Sequence, residues 1–96
     1  MSELETAREK INDIDRQMAE LFEKRMEISA MIGEYKRKNS LPVRDAQRER
    51  ELTEKNLTYI KKSSLRPFYI EFLNKLMELS RDCQSGKTPY HGGDEK

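Results

Sequence analysis

A single cysteine, Cys83, in 96 residues leaves no partner for an internal disulfide. No apolar run approaches the roughly 20 residues that a bilayer span requires. The opening "MSELETAREK" has no basic region followed by an apolar block, so no secretion signal is expected either. Net charge is nearly absent: 19 basic against 18 acidic residues give +1, which provides no general attraction to nucleic acid or to acidic membranes. Recognition of an anion would have to be local. The sequence has no metal-ligand spacing, no glycine-rich phosphate loop and no nucleophile beside a base, so any chemistry is expected to need no metal, cofactor or covalent intermediate. The one histidine, His91, falls in the C-terminal tail. The cytoplasm is the expected compartment.

What is present is charge of both signs on a helical pattern. Hydrophobic residues make up 34% and charged residues 39%, a balance that fits long solvated helices better than a compact sheet protein, and the length allows one domain at most. Apolar residues recur in steps of three and four at Leu4, Ala7, Ile11, Ile14, Met18, Leu21, Ile28, Ile32 and Tyr35. No glycine or proline interrupts before Gly33, and the intervening residues are strong helix formers, which predicts one helix from about Glu3 to about Lys38. Such a helix is roughly 54 Å long, whereas a compact domain of this size has a radius of gyration near about 12–13 Å. It overhangs its own domain with its apolar stripe still running, and a second chain is the simplest cover.

Pro42 pushes Leu41 out of helical space, and Asp45 is a good N-cap for a second helix from Ala46 to about Lys61, with Leu52, Leu57 and Ile60 as its apolar side. Pro67 suits the first turn of a third helix that continues to Gln84, with Ile70, Leu73, Met77, Ser80 and Gln84 on one face. The expected architecture is all-α: three helices in one domain over residues 1–85, then a polar Gly- and Pro-containing tail or linker stub over 86–96.

Several polar residues sit where apolar ones belong. Arg25 occupies a place in the apolar series of the first helix. Lys36 lies eleven residues on, about 16 Å along the axis and about 20° round, so two extended cationic side chains could hold the ends of a small dianion. Asp45, Arg48 and Glu49 share one face of the first turn of the second helix, offering an arginine for a carboxylate and carboxylates for a hydroxyl. Ser80 and Gln84 extend the line of Leu73 and Met77, so Gln84 must find a partner. Each has a plainer explanation: Arg25 can snorkel from a seam, "YKRK" is a charge run, Asp45 is a cap, Arg48 and Glu49 can form a surface ion pair, and Gln84 can bond to backbone or water. Cys83 reads as a small boundary residue.

The segments "AREKINDID", "LFEKRMEISAMIGEYK", "LPVRDAQRERE" and "SRDCQ", in order and with compatible spacing from Leu4 to Gln84, resemble the all-helical chorismate mutases. These occur alone or at the N-terminus of bifunctional aromatic-amino-acid enzymes. The resemblance implies an intertwined homodimer of three-helix chains that isomerises chorismate to prephenate on the route to phenylalanine and tyrosine, with the possibility of a further domain fused beyond the C-terminus. It implies that Arg8, Arg25 and Arg48 bind the substrate carboxylates, with Arg8 delivered by the partner chain. Lys36 and Gln84 would donate to the ether oxygen, Asp45 and Glu49 would receive the ring hydroxyl, Ser80 would sit near a carboxylate, and Ile32 and Met77 would supply apolar wall. One geometric point agrees independently: on a straight helix Arg8 and Arg25 are about 25 Å apart and about 100° out of register, so they cannot share a small ligand within one chain.

Two other readings fit parts of the pattern. Isochorismate–pyruvate lyases resemble the chain in scaffold and substrate, although they tend to lack a glutamate at the place of Glu49. A helical dimerisation module without a substrate accounts for the long helix but leaves Arg25, Lys36 and Gln84 unrelated.

Overall fold

The protein is described by a computed structural model in which residues 2–86 are placed; most of the expected tail lies outside these described residues. Three α-helices follow in order, α1 (Glu3–Lys38), α2 (Ala46–Leu57) and α3 (Arg66–Gln84), and no strand occurs among the described residues. The expected all-α, three-helix fold with one very long N-terminal helix is therefore the observed one.

The ends of α1 follow from local chemistry. Ser2 and Glu5 form a reciprocal capping box, each side chain accepting from the other's backbone N–H at 3.1 Å. Glu3 and Glu5 lie in the first turn and Lys36, Arg37 and Lys38 in the last, where each sign suits the helix dipole. The helix closes through Ser40, which takes a left-handed φ of 56° while the Leu41 N–H donates to the Lys36 carbonyl at 2.8 Å and the Ser40 N–H to the Arg37 carbonyl at 3.3 Å. That closing pattern normally falls to glycine. It turns the chain back over the last turn of α1, which is how residues 43–49 come to face Lys36.

The second helix is shorter than its sequence predicts, ending at Leu57 rather than near Lys61. Thr58, Tyr59 and Ile60 donate to carbonyls three residues back, and the Thr58 hydroxyl adds a bond to the Lys55 carbonyl at 2.6 Å. A helical bonding pattern thus persists in tightened form, and the apolar spacing that extends to Ile60 is compatible with it. Arg66 then caps the Ile60 carbonyl with Nε and a terminal nitrogen at 3.2 and 2.9 Å, and a single 3-10 turn over Ser63–Leu65 leads into α3.

The α3 helix is the shared wall: α1 and α2 each pack against it and do not pack against each other. The face of α1 that meets α3 is Met26, Ser29 and Gly33, opposite Leu73, Met77 and Ser80, all buried. This departs from the expected stripe, because Ile28, Ile32 and Tyr35 remain 55%, 43% and 62% exposed in the single chain. The reason is size: Ser29, Gly33 and Ser80 let two helix backbones approach where Ile and Tyr would hold them apart. At Gly33 a Cβ would stand 2.7 Å from the Gln84 carbonyl carbon and closer still to its oxygen. On the overhang, Leu4, Ile11, Ile14, Met18 and Leu21 are 50–63% exposed, and the buried apolar core of the described residues is only Met26, Leu73 and Met77. The longest dimension is 55 Å and the radius of gyration 16.5 Å, against about 12–13 Å for a compact domain.

Gly33→Ala should lower stability by about 1–3 kcal/mol, because the added methyl meets backbone that cannot rotate away. Thermal unfolding would then move down by roughly 4–8 °C per kcal/mol. An unchanged melting temperature would mean that α1 and α3 do not approach at this point.

Candidate active site

Between α1 and α2, with α3 as its wall, lies a cavity of about 340 Å³. Nine of the ten residues singled out in the sequence line it: Arg25, Ile32 and Lys36 from α1, Asp45, Arg48 and Glu49 from the start of α2, and Met77, Ser80 and Gln84 from α3. The tenth, Arg8, lies exposed on the overhang, outside this cavity.

Arg25 enters the site through Ser80. A terminal guanidinium nitrogen donates to the Ser80 hydroxyl, which also accepts from Ser29 at 3.2 Å and donates to the Met26 sulfur at 3.9 Å. Ser80 is buried and has its whole hydrogen-bonding capacity engaged within the α1–α3 contact, so it anchors Arg25 without carrying charge. Burial pushes the Arg25 guanidinium below its ordinary pKa and the nearby Arg48 charge acts in the same direction, while Tyr69 opposes them. A guanidinium starts so high that it stays a cation at neutral pH.

Lys36 is half-buried and donates to the Val43 carbonyl and the Gln84 side-chain oxygen, both at 2.8 Å. An ammonium has three hydrogens, so one remains for a ligand. Because lysine only donates, the atom of Gln84 facing it must be the amide oxygen, which assigns the NH2 end as the group left to donate. The plainer account of Gln84, a bond to backbone or water, is replaced by a bond to Lys36; its backbone carbonyl in turn accepts from Arg37 at 3.0 Å.

Asp45 does cap α2, its carboxylate accepting from the Arg48 N–H at 3.0 Å, and it lines the cavity as well. Arg48 sits exposed at the rim. Glu49 does not pair with Arg48, its neighbour in the chain. Both its oxygens accept from one terminal nitrogen of Arg81, at 2.8 and 2.7 Å, and Arg44 stands further off at 3.7 Å. Arg81 is the charged cavity residue that the sequence reading missed. Its signal was its place four residues after Met77, on the edge of the same helix face; its neighbour Ser80 drew attention to the line through Gln84 instead. The Val43 carbonyl was missed as well, and no side-chain type could have revealed it.

The charges lining the cavity are Arg25, Lys36, Arg48 and Arg81 against Asp45 and Glu49, four minus two, or two net positive charges in a chain whose total is +1. The arrangement suits a small dianion with a hydroxyl. Among the described residues no three His, Cys, Asp or Glu side chains cluster to hold a metal.

The family model for chorismate mutase type II matches residues 7–85. The chain belongs to the type II chorismate mutase family. Similar curated proteins are two enzymes described as bifunctional chorismate mutase/prephenate dehydratase. The one from Buchnera aphidicola is 38% identical over 76 residues, 79% of this chain and 20% of that protein. The one from Aquifex aeolicus is 40% identical over 57 residues, 59% of this chain and 16% of that protein. The chain therefore spans about a fifth or less of the length of the curated relatives it matches. A solved structure of a conserved hypothetical protein from Pyrococcus furiosus superposes with a TM-score of 0.71 at 32% identity, covering 88% of this chain and 97% of the other. In this chorismate mutase domain, as described, no helix is long and apolar enough to cross a membrane.

The two duties of Asp45 can be separated. Asp45→Ala should cost about 1 kcal/mol of stability through the lost cap, whereas Asp45→Asn keeps a capping oxygen and should cost at most a few tenths. Urea unfolding of both variants checks this, and equal losses would assign the effect to charge rather than to the cap.

Proposed function

We propose that the protein isomerises chorismate to prephenate at this cavity. The observation that carries the reading is the grouping of Arg25 and Lys36 from α1 with Gln84 from α3 around one cavity, with the remaining Lys36 hydrogen and the Gln84 amide NH2 left as donors. The rearrangement breaks a C–O bond and forms a C–C bond in one concerted step, with no proton to transfer and no intermediate to trap. The protein has two ways to accelerate it. It can hold the flexible diacid in its compact reactive conformation, and it can set fixed positive charge where the ether oxygen gains electron density. The planar forks of Arg25 and Arg48 suit the carboxylates, while Lys36, a compact point charge, and the Gln84 amide suit a single oxygen. Asp45 and Glu49 receive the ring hydroxyl, Ser80 sits beside a carboxylate through Arg25, and Ile32 and Met77 form the apolar wall.

The working unit in this reading is a homodimer in the cytoplasm, with Arg8 reaching the partner's cavity and any further fused domain outside the site. Support comes from the uncovered stripe Leu4–Leu21 and the small core of the single chain, which leave more apolar surface in water than a stable monomer of this size normally does.

Purified protein should consume chorismate and yield prephenate, followed by ultraviolet absorbance. Pyruvate released from isochorismate would favour the lyase instead, and no turnover of either would favour a dimerisation module. Lys36→Ala should lower kcat by about 10²–10³ with a much smaller effect on KM, because its contact strengthens as the oxygen becomes negative. A change in KM alone would remove Lys36 from the chemistry. Mixing Arg8→Ala chains with Lys36→Ala chains should restore activity, since each heterodimer keeps one intact site; no recovery after proven chain exchange would argue against a shared site.

A further inference from the structure

We propose that Arg81 is a positioning residue for this site: it fixes the Glu49 carboxylate and cancels its charge, so that a dianionic substrate can approach a carboxylate that must receive its hydroxyl. The inference rests on the activity proposed above. A carboxylate is the natural acceptor for a hydroxyl, yet in a pocket that binds a dianion it also repels the ligand. Arg81 removes that conflict. One of its terminal nitrogens bridges both Glu49 oxygens at 2.8 and 2.7 Å, with the side chains only 27% and 18% exposed, so solvent screens the pair weakly. Each carboxylate oxygen has a second lone pair, which leaves Glu49 able to accept one more hydrogen.

Among the described residues no other cation stands this close to Glu49. Arg44 is 3.7 Å away with its side chain 65% exposed, too long and too wet to hold an orientation. Arg48 precedes Glu49 on the same helix, where consecutive side chains diverge by about 100°. Arg81 comes instead from α3, and its bond ties the start of α2 to the wall that carries Ser80 and Gln84. Without Arg81 the cavity charge would fall from two net positive to one, and Glu49 would face the ligand unneutralised.

The test is a double-mutant cycle on chorismate turnover, with circular dichroism and melting to verify each fold. Arg81→Met keeps the apolar stem and should lower kcat/KM by roughly 10–100-fold. Most of the loss should fall in KM, because repulsion from a bare Glu49 acts on bound substrate and transition state alike. In a Glu49→Gln background the same substitution should cost less than about threefold, since there is no charge left to cancel. Arg81→Lys should recover most of the loss, because a single nitrogen makes both bonds. Equal losses in the two backgrounds, a loss confined to kcat, or no recovery with lysine would each overturn the assignment. If Arg81→Met does not fold, Arg81→Gln set against Arg81→Lys carries the same comparison. Absence of turnover in the unsubstituted protein would refute the proposed activity and this inference with it, whereas turnover with additive losses would refute this inference alone.

Discussion

At Gly33 the backbone of α1 lies against the backbone of Gln84, with no room between them for a Cβ. That contact sets the depth to which α1 sinks onto α3, and with it the distance between the side chain of Gln84, the contact residue itself, and Lys36, which lies about one turn beyond Gly33 on α1. The contact has a second support in Ser29 and Ser80, whose hydroxyls meet at 3.2 Å in the same buried face. Small residues make the interface close, and the closeness puts polar groups within hydrogen-bonding distance. A larger apolar pair would pack more carbon and separate the donors.

The turn after α1 completes the arrangement from the other side. Ser40 in its left-handed conformation reverses the chain, so that the Val43 carbonyl holds the Lys36 ammonium from below while Gln84 holds it from α3. Lysine is a flexible side chain with considerable rotamer entropy, and two fixed acceptors confine it before any ligand arrives. Arg25 is treated likewise through Ser80. Preorganisation of this kind matters most in a concerted reaction, where the protein contributes orientation and electrostatics and nothing else.

Charge and covering are both local problems in this chain. A total of +1 conceals a cavity with two net positive charges, because the compensating carboxylates are distributed along solvated helix faces. The same division applies to apolar surface. The C-terminal half of α1 is held by α3 through small residues, while its N-terminal half presents an unbroken stripe to solvent. The hydrophobic effect acts on that stripe whichever chain supplies the cover.

Much of this was legible in the sequence, and for identifiable reasons. The approximate bounds of helix α1 were legible because an apolar period and a long run of helix formers with no glycine or proline before Gly33 agree, and each is a local signal. Three cavity-lining residues on α1 and α3 stood out because Arg25, Ser80 and Gln84 break an apolar period. Two features were not legible. The face of α1 that packs against α3 is Met26, Ser29 and Gly33 rather than the stripe through Ile28, Ile32 and Tyr35, since periodicity marks where apolar residues lie and not which face finds a partner within the chain. The pairing of Glu49 with Arg81 joins residues 32 positions apart in a run of many charges, where every acidic residue has several basic candidates. By itself the sequence determined which segments are helical and which positions carry misplaced charge, because those depend on neighbours within a few turns. Only the tertiary structure decided which polar groups meet, because that depends on how α1 and α2 each seat on α3: at a glycine for Lys36 and Gln84, and at the start of α2 for Glu49 and Arg81.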